Sequence, residues 1–233
     1  MINIIIPVVD LLSDTKVCID SIKNTKEKYQ LIIVNNGSDK ETSDYLNKLK
    51  CILINNKENL GFVKATNQGI LASSGDVILL NNDVILPEGW IEKLMAVAQI
   101  DETIGLIGPL SESRGGNASQ QDMNRVQDRC NYKLPTVNNN FLPVDAIAFF
   151  CTFIKRTVID KVGLLDENFG FGQSDDVDYC IRAQKMGYKI AIATDLLIQH
   201  KVSATYTLLS INRLELYYKN RGYLLNKHRD YFK

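Results

Sequence analysis

No apolar run in this sequence is long enough to cross a membrane. The longest, Ala146 to Ile154, falls well short of a span. The opening Met1-Ile2-Asn3-Ile4-Ile5-Ile6-Pro7 has no basic flank and too short an apolar core for a signal peptide. These two absences predict a cytoplasmic protein. Charge of one sign is not in excess either: 27 Lys and Arg face 27 Asp and Glu in 233 residues. A zero balance gives no global field to draw in nucleic acid, and nucleic-acid readers usually carry a basic excess. Paired cysteines are missing. Cys18, Cys51, Cys130, Cys151 and Cys180 stand apart, odd in number and without a CxxC. That pattern predicts reduced thiols rather than a zinc site or a disulfide framework. No GxGxxG follows the first apolar run, which argues against a dinucleotide-dependent dehydrogenase.

What is present is a rhythm. Short β-branched runs at Ile4–Val9, Leu31–Val34, Cys51–Ile54 and Val77–Leu80 read as buried strands. Helical patterns at Thr15–Lys26, Glu41–Lys50, Phe62–Ser73 and Glu88–Ala98 alternate with them. The alternation predicts an α/β fold with a mostly parallel central sheet and helices on both faces. In such sheets ligands bind at the carboxyl ends of the strands. The second half is less regular. Ser111 to Asp128 is polar and reads as a long functional loop. Beyond it come an apolar run at Val144–Ile154, a helix at Ser174–Met186, strands at Lys189–Ala193 and Leu196–Gln199, and a helix at Leu208–Lys227. The last helix mixes aromatics with Arg213, Lys219, Arg221, Lys227 and Arg229. It reads as a helix docked on the core, with a membrane-surface helix as the sharper alternative. The chain reads as a single domain, 1–233, with halves at 1–100 and 101–207 and the terminal helix at 208–233.

The strand ends carry a consistent polar set. Asp10 follows the first run, Asn35-Asn36-Gly37-Ser38 the second, Asn59-Leu60-Gly61-Phe62 lies near the third, and Asn81-Asn82-Asp83 follows the fourth. Each alone is explained by a turn or a cap. Together they line one rim of one sheet with amides and acids, which suits a polar ligand. Residues 81 and 83 share a side if the chain stays extended. An acid there suits a hard divalent cation that shares phosphate oxygens. In Gly172-Gln173-Ser174-Asp175-Asp176-Val177-Asp178, Ser174 reads as an N-cap and Asp178 as an i,i+4 partner of Arg182. One of the acids is also a candidate general base, held ionised by the helix N-terminus. His200 ends an apolar strand, a suitable place for a metal or phosphate contact, while His228 stays unassigned.

These stretches resemble the family 2 glycosyltransferases of the inverting kind, especially their bacterial rhamnosyltransferase-like branch. The similarity runs from Asn3 to about Lys227 and is carried by five stretches in family order. They are Ile4–Val8, Ile33–Ser38, Asn59–Gly69, Leu80–Val84 and Leu165–Arg182. The resemblance implies a GT-A nucleotide-diphospho-sugar fold with a mixed sheet. It implies that Pro7, Val9 and Asn36 line the base and ribose pocket, with Asn67, Asn81, Asn82 and Asp175 also near the nucleotide-sugar. It implies that Asp83 and His200 hold Mn2+ or Mg2+ and that Asp176 is the catalytic base. It further implies a UDP-, dTDP- or GDP-sugar donor and a glycan, lipid-linked or protein acceptor in bacterial surface glycan or glycoconjugate synthesis. The chain departs from the family pattern at Asn81, where an acid is frequent, at Asp175, where Glu is usual, and at Asn35-Asn36, where the nucleotide pocket commonly has an acid. Two rival functions share similar folds. A sugar-phosphate nucleotidyltransferase would need a Gly-rich, Arg- and Lys-bearing loop after the first strand, where this chain reads Pro7-Val8-Val9-Asp10. A non-catalytic nucleotide-sugar-binding module would not need Asp83, Asp176 and His200.

Overall fold

The computed structural model describes residues 1–23, 25–113, 140–201 and 210–232. The first half follows the predicted rhythm. Strands β1 (Ile2–Val8), β2 (Tyr29–Asn36), β3 (Ile52–Asn56) and β4 (Val77–Leu80) alternate with helices α1 (Leu12–Ile22), α2 (Lys40–Leu46) and α3 (Phe62–Leu71). There follow β5 (Val84–Ile85), α4 (Trp90–Ile100), β6 (Ile104–Ser113), β7 (Phe141–Val144), β8 (Cys151–Ile154) and α5 (Arg156–Val162). A short 3-10 turn at Glu167–Phe169 leads into α6 (Asp175–Lys185), β9 (Lys189–His200) and α7 (Arg213–Lys227).

All described strands belong to one sheet, ordered β3-β2-β1-β4-β8-β6-β9-β5, with β7 paired to β9. The strands β3, β2, β1 and β4 run parallel. Beyond β4 the sheet becomes mixed, because β8 is antiparallel to both β4 and β6 while β6 and β9 run parallel. The pleat of β1 divides the core. Ile4, Ile6 and Val8 pack with Cys18, Ile22, Leu46 and Trp90 of α1, α2 and α4, while Ile5 faces Val63, Ile70, Val158 and Tyr179 of α3, α5 and α6. Helices therefore cover both faces, and the α/β GT-A fold class expected from the sequence is the one observed.

Several expected boundaries move for local reasons. The first helix starts at Leu12, not Thr15, because Asp10 and Leu11 turn the chain with φ of 50° and 53° right after β1. The second stops at Leu46, and its continuation tightens into i,i+3 bonds from Lys48 to Tyr45 and Leu49 to Leu46. The strands expected at 189–193 and 196–199 are one strand, β9, with an irregularity: the partners along β6 jump from Pro109↔Ala193 to Leu110↔Leu197. The apolar run 144–154 touches two strands that pair with different neighbours: Val144 ends β7, residues 145–150 lie outside any strand, and 151–154 form β8. The terminal helix begins at Arg213 rather than Leu208, with the Asn212 side chain capping Glu215 N at 3.2 Å. Strand β6 and helix α5 were not anticipated. The expected loop at 111–128 lies outside the described residues apart from its first three, as does Cys130. The other four cysteines are free, and Cys18, Cys151 and Cys180 are buried. No helix among the described residues is long and apolar enough to cross a membrane.

Candidate active site

A cavity of about 590 Å³ opens at the carboxyl ends of β1, β2 and β4. Its wall includes Pro7, Val9, Asn36, Asn81, Asn82, Asp83, Asp175, Asp176 and His200, which the sequence places far apart. The sheet explains the gathering. β5 pairs antiparallel with β9 so that Val84 lies opposite His200, and Lys201 N donates to Asp83 O at 3.1 Å. Register alone therefore brings His200 beside Asp83, with Nε2 3.3 Å from Asp83 Oδ1. The amide of Asn81 comes within 3.4 Å of the same Nε2. Phe150 stacks on the His200 ring at 4.8 Å and 12°, fixing its plane.

Asp83 is 4% exposed and its Oδ1 has no hydrogen-bond partner. An orphaned carboxylate oxygen at this burial is costly unless something binds it. Oxygen donors with one imidazole nitrogen suit Mn2+ or Mg2+, provided a ligand supplies further oxygens. Among the described residues no group of three His, Cys, Asp or Glu could hold a metal ion by itself, so a cation here depends on such outside oxygens. The residues present fit the implied ion.

The acidic helix enters from the other side. Gly170, Gly172, Gln173 and Ser174 all have positive φ, the last two at 69° and 71°. For non-glycine residues this backbone is strained by about 1–3 kcal/mol each. Ser174 occupies the N-cap position but its side chain makes no cap bond, contrary to the expected cap. The strained approach delivers Asp175 and Asp176 to the cavity. Burial pushes both carboxyls above the ordinary carboxylate range, and for Asp175 the neighbouring Asp176 charge adds to the rise. Backbone N–H groups, including Val177 N at 2.8 Å from Asp176 Oδ1, pull the other way but do not win. The expectation that the helix N-terminus keeps these acids readily ionised is thus overturned by desolvation.

Asp178, one turn deeper, is fully buried and serves the scaffold. It binds Arg182 Nε at 2.8 Å, the expected i,i+4 pair, and also Lys227 Nζ and His228 Nε2, each at 2.7 Å. His228 therefore has a structural place, clasping α7 to α6. Asn220, 2% exposed, donates to Phe169 O at 2.9 Å and Gly172 O at 2.6 Å, holding the strained loop. With α7 docked this way, Arg213, Tyr217 and Arg221 form a further wall of the cavity. The sequence reading assigned them no role. Their spacing on one helical stripe was the available signal.

Of the expected nucleotide residues, Asn67 lies away from the cavity and Asn82 lines it while also bonding to the scaffold. Asn67 is 2% exposed and is not among the described cavity residues. Its amide donates to Leu165 O at 2.9 Å and Glu167 Oε1 at 3.2 Å and accepts from Leu165 N at 2.9 Å. It fastens α3 to the segment before the acidic helix. Asn82 reaches the cavity wall, yet its Nδ2 donates to Thr15 Oγ1 at 2.9 Å and so holds α1.

A mixed central sheet with helices on both faces and a cleft at its parallel strand ends is the architecture of the GT-A class of fold. Within that class the chain belongs to glycosyl transferase family 2, whose model matches residues 3–163. It is similar to the glycosyltransferase AglE of Haloferax volcanii, 25% identical over 85% of this chain and 66% of that protein. Among solved structures, GalNAc-T7 with UDP, GalNAc and Mn2+ superposes with a TM-score of 0.68 at 16% identity, over 86% of this chain and 43% of that one. The mannosyltransferase PcManGT of Pyrobaculum calidifontis, in complex with GDP-Man and Mn2+, gives 0.67 at 16% identity, over 86% and 56%. The chain spans less than two thirds of the length of each curated relative it matches.

Proposed function

We propose that this protein moves a sugar from a nucleotide-diphosphate donor to an acceptor hydroxyl by a single, inverting displacement, as the rhamnosyltransferase-like branch does. The observation that carries the reading is the convergence of Asp83, His200 and Asp176 on one cavity, with Asp83 Oδ1 making no hydrogen bond and His200 Nε2 3.3 Å away. Asp83 and His200 would hold a divalent cation, Mn2+ or Mg2+, with Asn81 beside them. When bound, that ion supplies charge neutralisation for the departing diphosphate. Asp176 accepts the proton of the acceptor hydroxyl, a transfer typically worth ~10²–10⁴ in rate. Its raised affinity for protons makes it a stronger base than an ordinary carboxylate. The acceptor hydroxyl approaches from the side walled by Arg213, Tyr217 and Arg221 of α7.

The donor is a UDP-, dTDP- or GDP-sugar, and the acceptor a glycan, lipid-linked or protein hydroxyl in bacterial surface glycan or glycoconjugate synthesis. The place of action we propose is the cytoplasm, at the inner face of the membrane. Leu214, Tyr218 and Leu225, exposed on one stripe of α7 with basic residues nearby, support a peripheral contact there. The deciding experiment incubates UDP-, dTDP- and GDP-sugars with Mn2+ or Mg2+ and analyses the products. Release of nucleoside diphosphate supports transfer. Release of pyrophosphate from a nucleoside triphosphate and a sugar phosphate supports the nucleotidyltransferase instead, and no turnover of any donor supports a non-catalytic module.

A further inference from the structure

Asp83 and His200 are far apart in the chain, and one helix, α1, touches the segments that carry both. Its buried face includes Asp14, Thr15 and Cys18, spaced so that all three lie on one side of the helix. Cys18 Sγ donates to Asn81 O at 3.4 Å, and Thr15 Oγ1 accepts from Asn82 Nδ2 at 2.9 Å. These bonds hold the turn that ends in Asp83. Asp14 takes the other segment, with Lys201 Nζ 2.8 Å from its Oδ2. Lys201 follows His200 directly.

His200 is the last residue of β9, paired with Val84 of β5 on one side and Ser113 of β6 on the other. The β5 pairing is only two residues long, Val84 and Ile85, and strand ends open more readily than strand interiors. Lys201 closes that end twice, through its N–H to Asp83 O at 3.1 Å and through its ammonium to Asp14. Asp14 is 5% exposed. A carboxylate at that depth is costly to bury, and a buried ion pair adds little net stability over an apolar contact. What the pair supplies is a fixed distance between α1 and the end of β9, and hence between the two segments that α1 touches. Neither Asp14 nor Lys201 is among the residues lining the cavity.

We propose that Asp14 is a positioning residue for the cation site: through Lys201 it ties the end of β9 to the helix that also holds the turn at 81–83, and so sets the approach of His200 to Asp83. The inference rests on the cation reading above and extends it to residues outside the cavity. A plain charge effect has a different signature. Removing the Asp14 charge would weaken cation binding, and removing the Lys201 charge would strengthen it. Loss of the tie weakens it in both cases.

The test compares the whole chain with its Asp14→Asn, Lys201→Met and Lys201→Arg variants. The first readout needs no ligand. The chain has 2 histidines, so their imidazole NMR signals are readily told apart, with His200 assigned by His200→Gln. The His200 signal is expected to move in Asp14→Asn and in Lys201→Met and to keep its wild-type position in Lys201→Arg, while that of His228 stays in place. The second readout is titration with Mn2+ in the presence of UDP, dTDP or GDP, followed through the electron paramagnetic resonance of free Mn2+. Asp14→Asn and Lys201→Met are both expected to bind Mn2+ about tenfold more weakly, the low end for residues that orient metal ligands, and Lys201→Arg as tightly as the wild type. Affinity changes of opposite sign in the two variants, unchanged affinity, or an unmoved His200 signal overturns the proposal. Should Asp14→Asn fail to fold, Lys201→Met decides alone, since the Lys201 side chain is 47% exposed: unchanged or tighter Mn2+ binding overturns the proposal. A wild type that takes up no Mn2+ with any of the three nucleotides, while the His200 signal moves as expected, overturns the cation reading and not the tie.

Discussion

The two ends of the cleft are built on opposite plans. At and behind the amide-lined wall, Asn36, Asn56, Asn59 and Gln68 are tied together from β2 to α3, with bonds of 2.8–2.9 Å between their side chains. At the acidic end, Asp83 Oδ1 makes no hydrogen bond, Gln173 and Ser174 hold left-handed backbone, and Asp175 and Asp176 resist ionisation. One end is at rest before anything binds. The other holds unfavourable terms that a cation, a diphosphate or a proton transfer would relieve. Strain collected where chemistry occurs, and rigidity where a ligand is merely located, is a division of labour that stability alone would not select.

The sharpest way to break this contrast is Asp83→Ala. Turnover is expected to fall to background and to lose its response to added Mn2+; wild-type rates in excess chelator would remove the metal role. Asp176→Asn should lower turnover by ~10²–10⁴ while donor binding persists. Its effect on stability has the opposite sign. A carboxyl whose pKa rises on folding stabilises the fold fully below its unfolded value, near about 4, and loses that contribution as pH rises through the raised value. Asp176→Asn should therefore raise the apo melting temperature at neutral pH, with the gain shrinking to nothing in acid. A lower melting temperature at pH 7 would show that the acidic end is not strained. For the wild type, the acid limb of turnover should lie above the ordinary carboxylate range.

At the resting end the effects are on stability. Gly61 has φ of +85°, and a Cβ there would meet Gly170 O at 2.7 Å. Gly61→Ala should cost about 1–3 kcal/mol in chemical denaturation, because neither backbone can yield; an unchanged midpoint would show that the two segments are loosely apposed. The smallest expected effect concerns α7. Leu214→Glu with Tyr218→Glu should leave donor hydrolysis unchanged and reduce co-sedimentation with anionic vesicles a few-fold. No change in sedimentation would remove the membrane contact.

Much of this was legible in the sequence, and the reason is local. Val77–Leu80 was bounded correctly because a continuous β-branched run flanked by polar residues has one reading. Asp83, Asp176 and His200 stand out as candidates because each lies at a strand end or helix start within a motif, and all three line the cavity. What failed was long-range. Asn67 carries the same local signal whether it binds a ligand or Leu165 N, 98 residues away. Asn36 and Asn59 looked equally available until their partners were known, because satisfaction of an amide is a property of its neighbours. The fusion of two expected strands into β9 depended on a register shift against β6, which no period in one segment can encode. Tyr217 and Arg221 reach the cavity because Asn220, Leu224 and His228, on the same stripe of α7, dock it against the acidic helix and the loop before it.

That docking face offers a practical tool for tracing kinship. Asp178 is gripped by Arg182, Lys227 and His228 together. Residues Asn220, Leu224, Lys227 and His228 and the aspartate two places after the proposed base form one interlocked block. A diverged chain bearing that block would share this geometry even where its overall identity has decayed beyond notice.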